Sequence, residues 1–370
     1  MNKRAVVRIG NFLIVACLAF LALATGRSAA VAGPLAWGVD GPDSRRADLN
    51  VIFKLLQSRG LTQYRVGANL AKDTDPYEVQ MYKEMIALAK AHGITLKPIL
   101  AVPFTWGDRT DAGKYPTGDR AALYQQGYNR TYNFVMNFKN EINDWEMENE
   151  LNLVALDTNG KKLFGRGWTA AEYDTPIMND WAAVLKGMSD AIDKINKDHG
   201  LHLRKALNTT STMFGFLDFM ASKGVNFDVI SFHYYEVLGL NPHRAWGGTK
   251  PSFDLFKKLA SYGKPIVFNE VNCAEIYKPD YENEAGKPRT EACYKSLNDT
   301  LTYLSHQQDA NIESVCIYEL YDEPAKKPPE NRFGLMYDLN TPKIPLYLVS
   351  RFAGRTLPAH EAEELAKRGF

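Results

Sequence analysis

The segment Asn143-Asp144-Trp145-Glu146-Met147-Glu148-Asn149-Glu150 decides how the rest of the chain is read. It reads as a β-rich strand, over 143–149, that runs into a cluster of carboxylates. Strict strand alternation turns Glu146, Glu148 and Glu150 to one side, which is costly inside a sheet buried on both faces. Either the chain departs from strand geometry near Met147 or a network neutralises Glu146, and Glu148 is expected to be a bystander. Taken alone, three such glutamates also describe an ordinary solvated edge.

Working outward, the same kind of short apolar run recurs at 35–40, 63–68, 95–101, 205–209, 227–233, 265–270 and 312–318. Amphipathic stretches lie between them, such as 77–92 and 181–199, the former stopping at Gly93 where a helix C-cap belongs. Eight strand–helix units predict an α/β fold of the (β/α)8 TIM barrel type, as a single domain. A doubly wound sheet is the alternative, disfavoured because no glycine-rich dinucleotide turn follows the first strand. The barrel is expected over 33–358, with a helical tail over 359–370 as an appendage.

In such a barrel the reactive groups gather at the C-terminal ends of the strands. Polar residues break the apolar runs at those ends: Arg65 on strand two, Asn149 and Glu150 on strand four, His233 and Tyr235 on strand six, Glu270 on strand seven. Each is unremarkable singly, and a lone His233 is more often a hydrogen-bonded structural residue. Their joint order is the signal. Glu319, Asp322 and Glu323, beyond strand eight, are competing carboxylates for which a loop-surface role is expected.

The 44 basic and 43 acidic side chains nearly cancel. A nucleic-acid surface requires a basic excess, so no nucleic-acid partner is expected, and a charge-neutral polymer fits better. No His/Cys/Asp run has metal-ligand spacing, so neither metal nor cofactor is expected. Residues 1–32 read as a signal peptide: Lys3, Arg4 and Arg8 precede an apolar run over 12–24, and Ala30-Val31-Ala32 offers a small-x-small cleavage site. Export to the periplasm or the extracellular space follows, without stable membrane insertion. A lipoprotein anchor at Cys17 is the alternative. Of the remaining cysteines, Cys316 sits in an apolar strand and reads as a buried thiol. Cys273 and Cys293 flank a polar, proline-containing stretch and are expected to be bridged.

The strand-four motif Trp145-Glu146-x-x-Asn149-Glu150 resembles the Asn-Glu acid/base motif of the clan A glycoside hydrolases, in which the acid closes strand four and the nucleophile strand seven. Glu150 and Glu270 match those places, His233-x-Tyr235 is similar to the strand-six pair, and Arg65 takes the strand-two place. With Phe333-Gly334-Leu335 and Pro342-Lys343, the closest branches are families 39 and 5. Two departures stand out. Leu151 replaces the proline usual after the motif, and strand eight offers Tyr318, Glu319 and Tyr321 where the family often has a tryptophan.

The resemblance implies a retaining hydrolase of β-linked oligo- or polysaccharides that works through a glycosyl-enzyme intermediate. Glu270 would be the ionised nucleophile, supported by Arg65 and Tyr235, and Glu150 the protonated acid/base. Asn149 would hydrogen-bond the sugar 2-OH, and His233 would organise the site. Trp37, Trp106, Trp168, Trp246, Tyr318 and Tyr321 are aromatic residues in position to stack on sugar rings, although core packing accounts equally well for any one of them. A catalytically silent carbohydrate-binding barrel and a transglycosylase using the same residues are the competing functions.

Overall fold

Eight parallel strands close into a barrel in sequence order: β1 (Ala36–Asp40), β2 (Gln63–Asn69), β3 (Thr95–Ala101), β4 (Asp144–Met147), β5 (Arg204–Thr210), β6 (Val229–Tyr235), β7 (Ile266–Asn272) and β8 (Ile312–Ile317). β1 pairs with both β2 and β8, so no open edge remains. The computed structural model describes residues 35–41, 48–70, 74–102, 119–157, 159–273 and 290–370. Residues 1–32, read from the sequence as a signal peptide and including Cys17, and Trp106 lie outside the described residues. Among those residues no helix is long and apolar enough to cross a membrane.

Around the barrel run α1 (Leu49–Ser58), α2 (Pro76–His92), α3 (Arg120–Met136), α4 (Pro176–His199), α5 (Gly215–Ser222), α6 (Leu255–Ala260), α7 (Thr290–His306) and α8 (Ile344–Phe352). Their ends are written locally. Asp75 caps α2 by accepting the Tyr77 N–H, with Pro76 in the first turn, and Thr175 with Pro176 does the same for α4. Gly93 and Gly200 close the two helices in the left-handed conformation, at φ 68° and 64°. The helices pack on the outer strand faces, where Trp145 is wholly buried edge-on against Phe134.

Aliphatic layers do not fill the inside of this barrel; charge fills much of it. At its N-terminal mouth Asp144 of β4 accepts from Lys97 of β3 (2.5 Å) and from both Nε and Nη2 of Arg204 on β5 (2.7 Å each). Arg204 also reaches Glu313 on β8, at 2.9–3.0 Å, and so spans the mouth. Above this plug sits a small apolar layer of Ala206, Val229 and Val267, and above that the polar groups of the site.

A last helix, α9 (Ala359–Ala366), packs along α8. Glu361, almost fully buried, accepts both of its hydrogen bonds from Arg59 Nη1, just after α1.

Candidate active site

β4 leaves strand geometry where its carboxylates crowd. It ends at Met147, not at Asn149 as the sequence pattern suggests, because Glu148 and Glu150 take left-handed backbone conformations (φ 64° and 52°). Such a conformation costs about 1–2 kcal/mol for a residue with a Cβ. Here it turns Glu148 away to accept the Val102 N–H at 2.7 Å, beside β3. Glu150 is held by its own backbone, its N–H donating to Asn208 Oδ1 at 2.8 Å and its carbonyl accepting from Leu153. Both expected remedies are therefore present, since Glu146 is also neutralised. Its two oxygens accept from Arg65 Nε (2.8 Å), Arg65 Nη2 (3.0 Å), Ser231 Oγ (2.8 Å) and Asn269 Nδ2 (2.7 Å). Burial opposes its charge most, but Arg65, His233 and Ser231 outweigh it and hold the carboxyl below its usual range.

β7 solves a second geometric problem. The register against β6 slips between Ser231↔Val267 and His233↔Glu270, so β7 carries one extra residue there. A bulge of this kind re-aims side chains and lets two successive residues serve the same interior. Asn269 reaches down to Glu146, and Glu270 receives Arg65 Nη1 on Oε1 (2.9 Å) and the Tyr235 hydroxyl on Oε2 (2.7 Å). Burial is the largest influence on Glu270 and disfavours its charge. His233, Arg65 and Tyr235 together outweigh burial and keep it ionised, far below the usual carboxylate range.

Arg65 uses all five guanidinium donors: besides Glu146 and Glu270, it donates to Asp40 Oδ1 (3.2 Å) and Asn149 Oδ1 (2.6 Å). Asp40, at the end of β1, is pushed well above its usual range by burial, opposed by Arg65 and reinforced by Glu270 and Glu146. His233 Nδ1 lies 2.9 Å from Glu150 Oε1 and 3.3 Å from Glu270 Oε2. Burial opposes its charge, but Glu270 and Glu150 prevail and raise its pKa to about 9.

One ligand-type atom from each of Glu150, His233 and Glu270 lies within 4.8 Å of the others. This cluster is invisible to a search for metal-ligand spacing because its members come from three strands. The Arg65 guanidinium against Glu270 places a fixed positive charge beside it, which disfavours a cation there. Glu150 is the least enclosed of the three, its side chain 17 % exposed against 8 % for Glu270 and 0 % for His233.

The aromatic candidates divide. Tyr318 and Tyr235 both pack on Phe333, at 5.9 and 6.1 Å between ring centroids, and form a wall on the Glu270 side. Asn272 pins that wall by donating to the carbonyls of Tyr318 and Phe333. Trp168 packs on Phe214 and Phe253 and donates its indole N–H to the Gly247 carbonyl (3.0 Å). Trp37 is buried against Phe352, so it belongs to the core and not to a sugar platform. Tyr321 is half-buried and bridges to Met336 through its backbone. Glu319 corrects the surface reading: it is wholly buried and paired with Lys326 Nζ at 2.7 Å, and the same ammonium bonds the Tyr318 hydroxyl.

Cys273, three residues past Glu270, is bridged to Cys293 on α7, and Cys316 is a buried free thiol. The bridge sits in an apolar cluster with Tyr294 and Phe333, not in the polar surroundings that the neighbouring sequence suggests.

No protein-family model matches the chain, and comparison with curated proteins finds no match by sequence. Solved structures do match. A family 39 glycoside hydrolase from the gut symbiont Bacteroides cellulosilyticus WH2 superposes with a TM-score of 0.60 at 16% identity, over 86% of this chain and 63% of that one. The chain thus spans less than two thirds of that structure. A family 1 β-glucosidase from Thermotoga maritima gives 0.59 at 13% identity, over 87% and 98%. The same enzyme in complex with isofagomine lactam gives 0.60 at 12%, over 84% and 86%. In fold, the chain is similar to these clan A glycoside hydrolases, with a (β/α)8 barrel of the same kind.

Proposed function

We propose that the chain is a retaining glycoside hydrolase acting on β-linked glycans, with Glu270 as nucleophile and Glu150 as acid/base. The observation that carries this reading is the separation of the two carboxylates, whose nearest oxygens lie within 4.8 Å of one another across the barrel mouth. Retaining enzymes hold their carboxyls about 5–5.5 Å apart, whereas inverting enzymes leave about 6.5–9.5 Å for a water. The difference in surroundings supports the division of roles. Glu270 is kept ionised by Arg65, His233 and Tyr235, as a nucleophile must be.

In the first step a Glu270 oxygen attacks the anomeric carbon while the Glu150 carboxyl gives its proton to the departing glycosidic oxygen. The carbon–oxygen bond to the leaving group breaks, and a glycosyl ester on Glu270 forms. Glu150, now a carboxylate, takes a proton from water, whose oxygen attacks the same carbon and releases Glu270. His233 Nδ1, 2.9 Å from Glu150 Oε1, holds that carboxyl in place for the transfer. Asn149, oriented by Arg65, is the group for the sugar 2-hydroxyl.

A silent binding barrel does not need an ionised, triply held glutamate facing a second carboxyl, so the catalytic reading is favoured. Transglycosylation uses the same steps with a sugar in place of water. The leader-like N-terminus and the disulfide support an exported protein. The test is release of aglycone or sugar from a panel of aryl β-glycosides and β-linked polysaccharides. Turnover abolished by both Glu150→Ala and Glu270→Ala supports the reading; binding without turnover of any member overturns it.

A further inference from the structure

We infer that Phe164 and Trp246 form a separate subsite that stacks a sugar unit of an extended β-linked glycan on the leaving-group side of the cleaved bond. This rests on the glycosidase reading and assigns its substrate class: chains of several units instead of a terminal disaccharide.

Both rings are large, apolar and left in solvent, 48 % and 42 % exposed. They lie 5.5 Å apart between centroids at an interplanar angle of 39° and so present a shallow, angled aromatic surface. Their places in the chain matter as much. Phe164 belongs to the segment between β4 and α4, which begins at Glu148 and carries Glu150. Trp246 belongs to the segment between β6 and α6, which begins just after His233 and Tyr235. Both spring from the C-terminal rim, and the β4 segment carries the residue proposed to protonate the departing group.

The pair is held in place and not draped. Thr249 N–H donates to the Gly165 carbonyl (2.9 Å), Trp246 N–H to that of Leu238 (2.5 Å), and Trp168 Nε1 to that of Gly247 (3.0 Å). Ala245 and Phe253 exchange both backbone bonds, at 2.8 and 3.0 Å. Two glycines make the approach possible. A Cβ on Gly165 (φ +74°) would stand 2.7 Å from Trp246 Cη2, and one on Gly248 (φ +62°) would stand 1.8 Å from the Gly165 carbonyl oxygen. Two segments of different strands are thus locked together so that two aromatic faces stay open. Burying those faces would be favourable in the absence of a ligand. A sugar ring offers the matching chemistry, a flat C–H face for the aromatic rings and hydroxyls left to water.

The experiment measures kcat/KM for β-linked hexasaccharides (cello-, xylo-, manno- and laminari-) against an aryl monoglycoside. Trp246→Ala and Phe164→Ala should lower the ratio of long to short substrate by about tenfold, the size of one aromatic stacking contact, and Trp246→Phe should restore it. In parallel, calorimetric titration of the hexasaccharides into Glu150→Gln protein should show Kd weakened about tenfold by the added Trp246→Ala. Equal losses on long and short substrates, no hexasaccharide binding, or binding indifferent to Trp246 would overturn the subsite. So would a concentration-dependent dimer that Trp246→Ala abolishes, since the pair would then serve self-association. Trp246-dependent binding without turnover of any glycoside would leave the subsite standing and remove the catalytic reading.

Discussion

Glu146→Gln is the substitution that best separates an organised charge cluster from an accidental one. Glu146 is nearly fully buried and accepts four hydrogen bonds, two from Arg65 and one each from Ser231 and Asn269. A glutamine keeps the shape but has one oxygen, so its NH2 must face Arg65 Nε and Asn269, or Arg65 Nη2 and Ser231. It also removes the counter-charge that bears most on the buried guanidinium. Removing one member of a buried ion pair costs about 3–5 kcal/mol. With roughly 2.1 cal/mol/K of unfolding entropy per residue, that is a fall in Tm of about 4–7 °C for a unit of this size. The unspent positive charge then bears harder on Glu270, lowers its basicity and slows attack by about tenfold or more, the equivalent of 1.4 kcal/mol. Calorimetry and kcat on an aryl glycoside read the two effects. Glu313→Gln is the control, since Glu313 joins its ion pair at the half-open barrel foot and should cost under about 1 kcal/mol. Equal, small effects of the two substitutions would refute the reasoning.

Tyr235→Phe removes the hydroxyl from Glu270 Oε2, and a hydrogen bond to a charged group is worth about 1.5–3 kcal/mol. That bond is regained only when Glu270 leaves the glycosyl ester, so deglycosylation should slow by roughly 10–100-fold, with kcat and KM falling together and a pre-steady-state burst appearing; an unchanged kcat would count against it. The pH dependence of stability follows from His233, whose pKa is raised from 6.5 to about 9 on folding. The contribution is fully present below about pH 6.5 and is lost as pH rises through about 9; it amounts to roughly 3 kcal/mol. The Tm of the wild type should therefore fall between pH 6.5 and 9 more steeply than that of His233→Asn, and parallel profiles would contradict the assignment.

The strands and their order were legible because each is buried on both faces and written as an apolar run bounded by turns. All eight fall within a few residues of the positions read from the sequence, and α2 stops at its C-cap Gly93. The inward positions of His233 and Tyr235 follow from strand alternation, whereas Glu270 turns inward only through the β7 bulge, and Arg65 is the third of seven residues in β2 and not at its C-terminal end as expected. What periodicity could not supply is where it breaks. The left-handed Glu148 and Glu150 and the β7 bulge at Asn269 are set by tertiary demands, since each relieves or exploits crowding among groups distant in sequence. For the same reason Asn208, Asn269 and Asn272 went unremarked. Asn208 lies in β5 and Asn269 and Asn272 in β7, and their partners come from segments distant in sequence. Glu319 read as surface because the lysine that neutralises it lies seven residues on, in a loop.

The central claim is the division of labour between Glu270 and Glu150, and azide rescue of the two alanine variants tests it most directly. Glu270→Ala opens a hole beside the anomeric carbon, where azide should attack an activated aryl glycoside and give a glycosyl azide of inverted configuration. Glu150→Ala keeps the nucleophile, so the glycosyl-enzyme should form with a good leaving group and yield to azide with retained configuration. Opposite stereochemistry in the two products, read by NMR of the anomeric proton, is the predicted result. The same configuration from both, or wild-type turnover in either, would contradict it.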